Sequence, residues 1–194
     1  MHATGRATHT LNIAFVSPDD GDHWLNRLTA RASTHPLCHV EIHFETTNQC
    51  FSIIADDRGA SLRTKSLGNP SYRIVSLGVT TSEYNTCLMF CQTASTWGLS
   101  FDEQGMWRSY FCCGCCEPSS QQVGRTFCSK IVTEALQYAG VPEVDRLNPA
   151  TATPSRLYEA LYRSPRIVCA SVPFKREALA LATGAKSAPL GSMR

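Results

Sequence analysis

Two places in this chain carry side chains able to do covalent chemistry, and they lie far apart in sequence. The later one is Cys128, which heads the stretch TFCSKIVTEALQYAG over residues 126–140. Phe127, Ile131, Val132, Ala135, Leu136 and Ala139 recur there at helical spacing, so the stretch reads as one core helix. Thr126 is the expected cap, Gly140 suits a left-handed turn after the end, and Pro142 blocks resumption. Cys128 falls in the first turn. Unpaired N–H groups and the helix dipole favour an anion at that position, which suits a thiolate nucleophile. The competing reading is packing, because Cys128 shares the face of Ile131 and Val132 and free cysteine is often buried.

The earlier place is the segment CHVEIHF, residues 38–44. Side chains alternate across a strand, so His39, Glu41 and His43 share one face and Val40, Ile42 and Phe44 the other. His39 is the candidate base for Cys128, with Glu41 or a group on the next strand orienting the ring. The alternatives are a polar face open to water and a zinc or iron site formed by His39, Glu41 and His43. A second metal candidate is the CCGCC run, Cys112, Cys113, Cys115 and Cys116, with Cys87 and Cys91 able to complete a structural zinc site. Four thiols within five residues do not wrap one zinc easily, and plain loop thiols or reversible lipidation fit as well. No cofactor is otherwise expected. Trp97, Phe101, Asp102, Trp107 and Tyr110 crowd the loop before the core helix, either lining a substrate cleft or anchoring the loop.

The elements that must position these groups follow from the pattern. Strands are expected over 11–16, 37–44, 50–54, 60–65, 72–77 and 166–172. Asn48 and Gln49 make a hairpin turn between the second and third. A helix with Trp24, Leu25, Leu28 and Ala32 inward runs over 24–34. Another, opened by the capping box Thr80-Thr81-Ser82-Glu83, runs to about 97. Residues 98–124 read as a long irregular loop. A short helix over 153–161 has Thr153 as its cap and Pro154 at its first position. Strand, helix, a run of antiparallel strands and then helices make an α+β domain with an antiparallel sheet packed against the Cys-bearing helix. Residues 1–9 are expected to be a flexible N-terminus, 10–174 the domain, and 175–194 a disordered tail.

Composition narrows the function classes. The chain has 194 residues, 43% hydrophobic and 18% charged, as in a globular domain. A net charge of +2 gives no argument for nucleic acid or a membrane surface. No apolar run is long enough to span a bilayer. Ten cysteines without a secretion signal point to a reducing, cytoplasmic setting.

With both segments in view, the chain resembles the circularly permuted branch of NlpC-type papain-like cysteine hydrolases. Its YiiX-like and lecithin retinol acyltransferase-like relatives share the arrangement in which the His strand precedes the Cys helix. The matching pieces are CHVEIHF (38–44), FSI (51–53), GLSFDEQG (98–105), FCSKIVTEALQYAG (127–140) and LNPATATPSRLYEAL (147–161). The resemblance implies that Cys128 is the nucleophile and His39 the catalytic histidine. Ser52 is the polar candidate on the following strand, but Glu41 is the better acid, and its His-x-Glu pattern looks like that of viral and phage members. A viral member would work in the host cytoplasm or the virion. The CCGCC loop belongs to no pattern of that family. The resemblance further implies hydrolysis or transfer of acyl groups at an amide, ester or thioester bond, with a peptide, a protein or an acyl-bearing molecule as substrate. Asp102, Trp107 and Ser129 are the candidate substrate contacts. The rival expectations are a metallohydrolase and an inactive binding or structural module of the same fold.

Overall fold

The strand at the middle of the sheet explains the rest of the architecture. In the computed structural model, which describes residues 7–19, 24–55, 59–65, 67, 71–111 and 124–170, strand β1 (His9–Val16) pairs on both edges. Leu11, Ile13 and Phe15 are fully buried on one face, and Asn12 and Ala14 are buried on the other. Asn12 is accommodated because its Nδ2 donates to Glu45 Oε1 at 2.8 Å. Around β1 lie β2 (His39–Phe44), β3 (Gln49–Ile53), β4 (Ala60–Thr64), β5 (Tyr72–Val79) and β8 (Ile167–Ala170). Together they form a six-stranded antiparallel sheet in the order β4-β3-β2-β1-β5-β8. Asn48 takes the left-handed conformation, φ 49°, at the expected β2–β3 hairpin.

Helices α2 (Thr81–Ala94), α4 (Cys128–Tyr138) and α5 (Pro154–Tyr162) pack with the apolar face of the sheet into one core. The chain is therefore a mixed α+β structure with an antiparallel sheet. The capping box of α2 is formed in full: Glu83 N–H donates to Thr80 Oγ1 at 3.2 Å, and Thr80 N–H to Glu83 Oε2 at 2.7 Å. Thr153 caps α5, accepting from Arg156 N–H, with Pro154 at the first position. Ile131, Val132 and Leu136 of α4 are wholly buried, each contributing about 1.5–3 kcal/mol through removal of apolar surface from water. Gly140 ends α4 with φ +76°, and Val141 N–H closes the turn on Leu136 C=O at 3.0 Å.

Four expectations are corrected. The segment 98–124 is not one irregular loop, for it carries β6 (Ser100–Phe101) and helix α3 (Glu103–Phe111). Asp102 starts that helix by accepting Gly105 N–H at 2.8 Å. Thr126 does not cap α4. It lies in β7 (Arg125–Thr126), which pairs in parallel with β6, and this leaves Phe127 as the cap residue without a capping side chain. In α1 (Trp24–Arg31), Trp24 and Leu28 are exposed, whereas Thr29 and Ala30 are buried. His9, expected in a flexible N-terminus, belongs to β1 and stacks on Tyr84. The CCGCC run and the 175–194 tail fall outside the described residues.

Candidate functional site

β2 starts at His39, and helix α4, whose first residue is Cys128, packs across β2 and β3. This arrangement brings the two candidate residues together. The His39 ring is mostly buried and donates from Nε2 to Glu41 Oε1 at 3.1 Å. Glu41 is ionised, so it can only accept, and this fixes the proton on Nε2. Nδ1 is then the ring nitrogen left to face the Cys128 sulfur. Burial works against a charged His39. The charge and hydrogen bond of Cys128, followed by those of Glu41, outweigh it and push His39 up to about 9.

Glu41 is 4% exposed, on a face that the sequence left open to the reading of a solvated surface. Burial favours its neutral form, but the hydrogen bonds and charges of His39 and then Lys65 hold the carboxyl down to about 2. Lys65 follows β4 and donates from Nζ to the same Oε1 at 2.7 Å. It was not among the expected site residues. Its approach depends on the lateral stacking of β2, β3 and β4, which no local spacing reveals. Cys50 lies beside the same carboxylate. Burial and then the Glu41 charge push its thiol up to about 12, so it stays protonated and is no competing nucleophile. A pocket of about 210 Å³ adjoins this side of Glu41, lined by Cys50, Ser52, Ser61, Arg63 and Lys65.

Tyr110, one of the aromatics the sequence offered either as cleft lining or as a loop anchor, lies in α3. Burial and then the charge of Cys128 push its phenol up. Tyr110 therefore stands near the sulfur. Trp107, one turn earlier on α3, packs against it at 6.4 Å between ring centroids.

The remaining expected contacts are placed differently. Asp102 spends its carboxylate on the α3 cap, and a Cβ at Gly105 would meet Asp102 Oδ2 at 2.2 Å, so the oxygen is pressed onto its own helix. Ser129 is 1% exposed and donates to Ala152 C=O at 2.6 Å, tying α4 to the following connection rather than facing a substrate. Ser52 likewise donates to Val40 C=O at 2.8 Å and does not orient the imidazole. His43 turns its Nε2 to Asn48 Oδ1 at 3.3 Å. His39, Glu41 and His43 thus do not converge on one point, and no group of three metal-ligating side chains is found among the described residues. Among the described cysteines, Cys50, Cys87, Cys91, Cys128 and Cys169 are free thiols.

Chemically, the arrangement sets a sulfur at a helix start against an imidazolium that a buried carboxylate orients. Because Phe127 supplies no capping side chain, no side-chain oxygen takes up the first N–H groups of α4. No helix among the described residues is long and apolar enough to cross a membrane. Comparison of the chain with protein-family models, with curated proteins and with solved structures gives no match.

Proposed function

We propose that the protein is a thiol-dependent hydrolase or acyltransferase of permuted papain-like fold, acting on an amide, ester or thioester bond. The observation that carries this reading is the meeting of Cys128 and His39, with Glu41 on the far side of the ring. Cys128 attacks the carbonyl carbon of the substrate as the thiolate, forming a C–S bond. The carbonyl oxygen becomes an oxyanion held by N–H groups at the start of α4. As the tetrahedral species collapses, the bond to the leaving amine, alcohol or thiol breaks, and His39 gives that group the proton from Nδ1. A water or a second acceptor then loses its proton to Nδ1, attacks the thioester and releases Cys128. Glu41 stays ionised throughout and keeps Nε2–H in place. Strand order supports the fold assignment: the His strand precedes the Cys helix, and the two meet across an antiparallel sheet.

One observation favours a second reading, an inactive module with Cys128 as a core residue. The side chain is 3% exposed and belongs to the main apolar cluster. Cys128→Ala discriminates between the two. In the enzyme reading it abolishes turnover of an activated ester or thioester while the urea unfolding midpoint stays close to the parent. Parent-level turnover by this variant would show that another group is the nucleophile. Iodoacetamide at mildly acidic pH should also modify Cys128 ahead of the other nine thiols, because a merely packed thiol stays protonated and slow.

A further inference from the structure

Glu41 holds its hydrogen bonds in an uneven way. Oε1 accepts from both His39 Nε2 at 3.1 Å and Lys65 Nζ at 2.7 Å, whereas Oε2 is buried with no hydrogen-bond partner among the described residues. The nearby hydroxyl of Ser52 is spent on Val40 C=O. A buried carboxylate with one bare oxygen relies on the charges that reach the other, and an unpaired buried charge is costly. Among the described residues, Lys65 supplies the only full cation on Oε1 other than the ring itself. Its ammonium is fixed in turn by Tyr72, whose ring centroid lies 5.3 Å from Nζ.

We propose that Lys65 is a positioning residue of the Cys128–His39–Glu41 site: it pins Glu41 Oε1 against His39 and offsets part of the carboxylate's charge, so that the imidazolium can still release its proton. The proposal rests on the thiol-hydrolase reading of that site. The ionisable groups facing Glu41 and Lys65 are His39 from β2, Cys50 from β3, Arg63 from β4 and Tyr72 from β5, with Cys128 of α4 beyond the ring. Of these, Lys65 is the nearest cation that is not itself part of the proton transfer. Removing it has a sign that can be worked out. The uncompensated Glu41 charge favours imidazolium more strongly, so His39 holds its proton to higher pH and becomes a weaker acid toward the leaving group. Glu41 itself becomes easier to protonate. Both ends of the active pH range therefore move in the alkaline direction.

The test uses the full chain with Lys65→Met and Lys65→Arg, and an activated ester as substrate. kcat and kcat/KM are measured across pH, with iodoacetamide labelling of Cys128 in parallel. For Lys65→Met the expected result is a kcat lower by about 10-fold at neutral pH, KM within about two-fold, and an alkaline limb about one pH unit higher. Lys65→Arg should restore the limb and most of kcat. Should the Met variant fail to fold, Lys65→Gln, which keeps a donor without the charge, gives the same limb shift if the proposal holds. A folded Met or Gln variant whose limb does not move overturns it, whether or not kcat falls, because a purely structural role would lower kcat at every pH. A parent protein that turns over no ester through Cys128 and whose Cys128 is not labelled overturns the underlying site reading instead. An active, labelled parent with an unmoved variant overturns only the Lys65 role.

Discussion

Replacing Glu41 by Gln keeps the shape of the side chain and removes its charge, which makes the pairing of this carboxylate measurable as stability. In the folded protein the hydrogen bonds and charges of His39 and Lys65 hold the carboxyl at about 2, against an ordinary value of 4.5. A depressed acid stabilises the fold when ionised. Its contribution is complete above pH 4.5 and is lost as pH falls through 2. From those two values, about 2 kcal/mol should be lost between pH 6 and pH 3 through this one group, since each unit of displacement is worth about 1.4 kcal/mol. The Gln variant has no proton to take up and lacks this loss. It starts lower at pH 6, by about 1–3 kcal/mol, because Lys65 and His39 then face a neutral acceptor in a buried place. Urea unfolding followed by tryptophan fluorescence at pH 6, 5, 4 and 3 gives both curves. The expected outcome is convergence as pH falls. Parallel curves would show that Glu41 titrates alike in the folded and unfolded chain, and the pairing drawn here would be wrong.

Two more outcomes follow from buried polar contacts. Ser129→Ala leaves the Ala152 carbonyl without its donor and should cost about 1–2 kcal/mol in urea unfolding, with KM unchanged; a KM raised several-fold would return Ser129 to the substrate. Arg166 bonds Glu83 and Glu143, each at 2.7 Å, and so joins β8 to the first turn of α2 and the turn after α4. Arg166→Met takes the cation from both carboxylates, which keep their bonds to Thr80 N–H and Ser164 Oγ, and should cost about 2 kcal/mol at neutral pH; unchanged stability would mean that water takes the place of the guanidinium.

What the sequence reveals of this fold divides along locality. The α4 helix apart from its cap, the Thr80 capping box, the Thr153 cap, the Asn48 hairpin and the Gly140 stop each depend on residues within a turn or two of one another, and these form as read. The α+β class follows from the same local elements, whereas the order β4-β3-β2-β1-β5-β8, with β5 beside β1 and β8 beside β5, is not legible in them. The misreadings are non-local. Helix α3 is hidden because its segment mixes glycine, aromatics and charge without an apolar stripe, and it is started by the Asp102 cap and by the pairing of β6 with a distant β7. Thr126 is taken from its capping role by pairing with Phe101. Of the site, Cys128, His39 and Glu41 are visible as residue types on suitable elements. Lys65 is not, because its partner is reached across two strand pairings, and a lone lysine after an edge strand has the pattern of a solvated one. Ser129 misleads for the opposite reason: adjacency to the nucleophile in sequence places it on the buried side of α4, a full 100° around the helix from Cys128.

The meeting of sulfur and imidazole can be measured on the histidine itself. Nitrogen-15 NMR of the His39 ring, titrated in the parent and in Cys128→Ala, reports its proton directly. The structure predicts a midpoint near 9 in the parent, far above the ordinary 6.5, and a clearly lower one once the sulfur is gone. The same midpoint in both proteins would mean that Cys128 does not act on His39, and the proposed nucleophile and base would no longer form a pair.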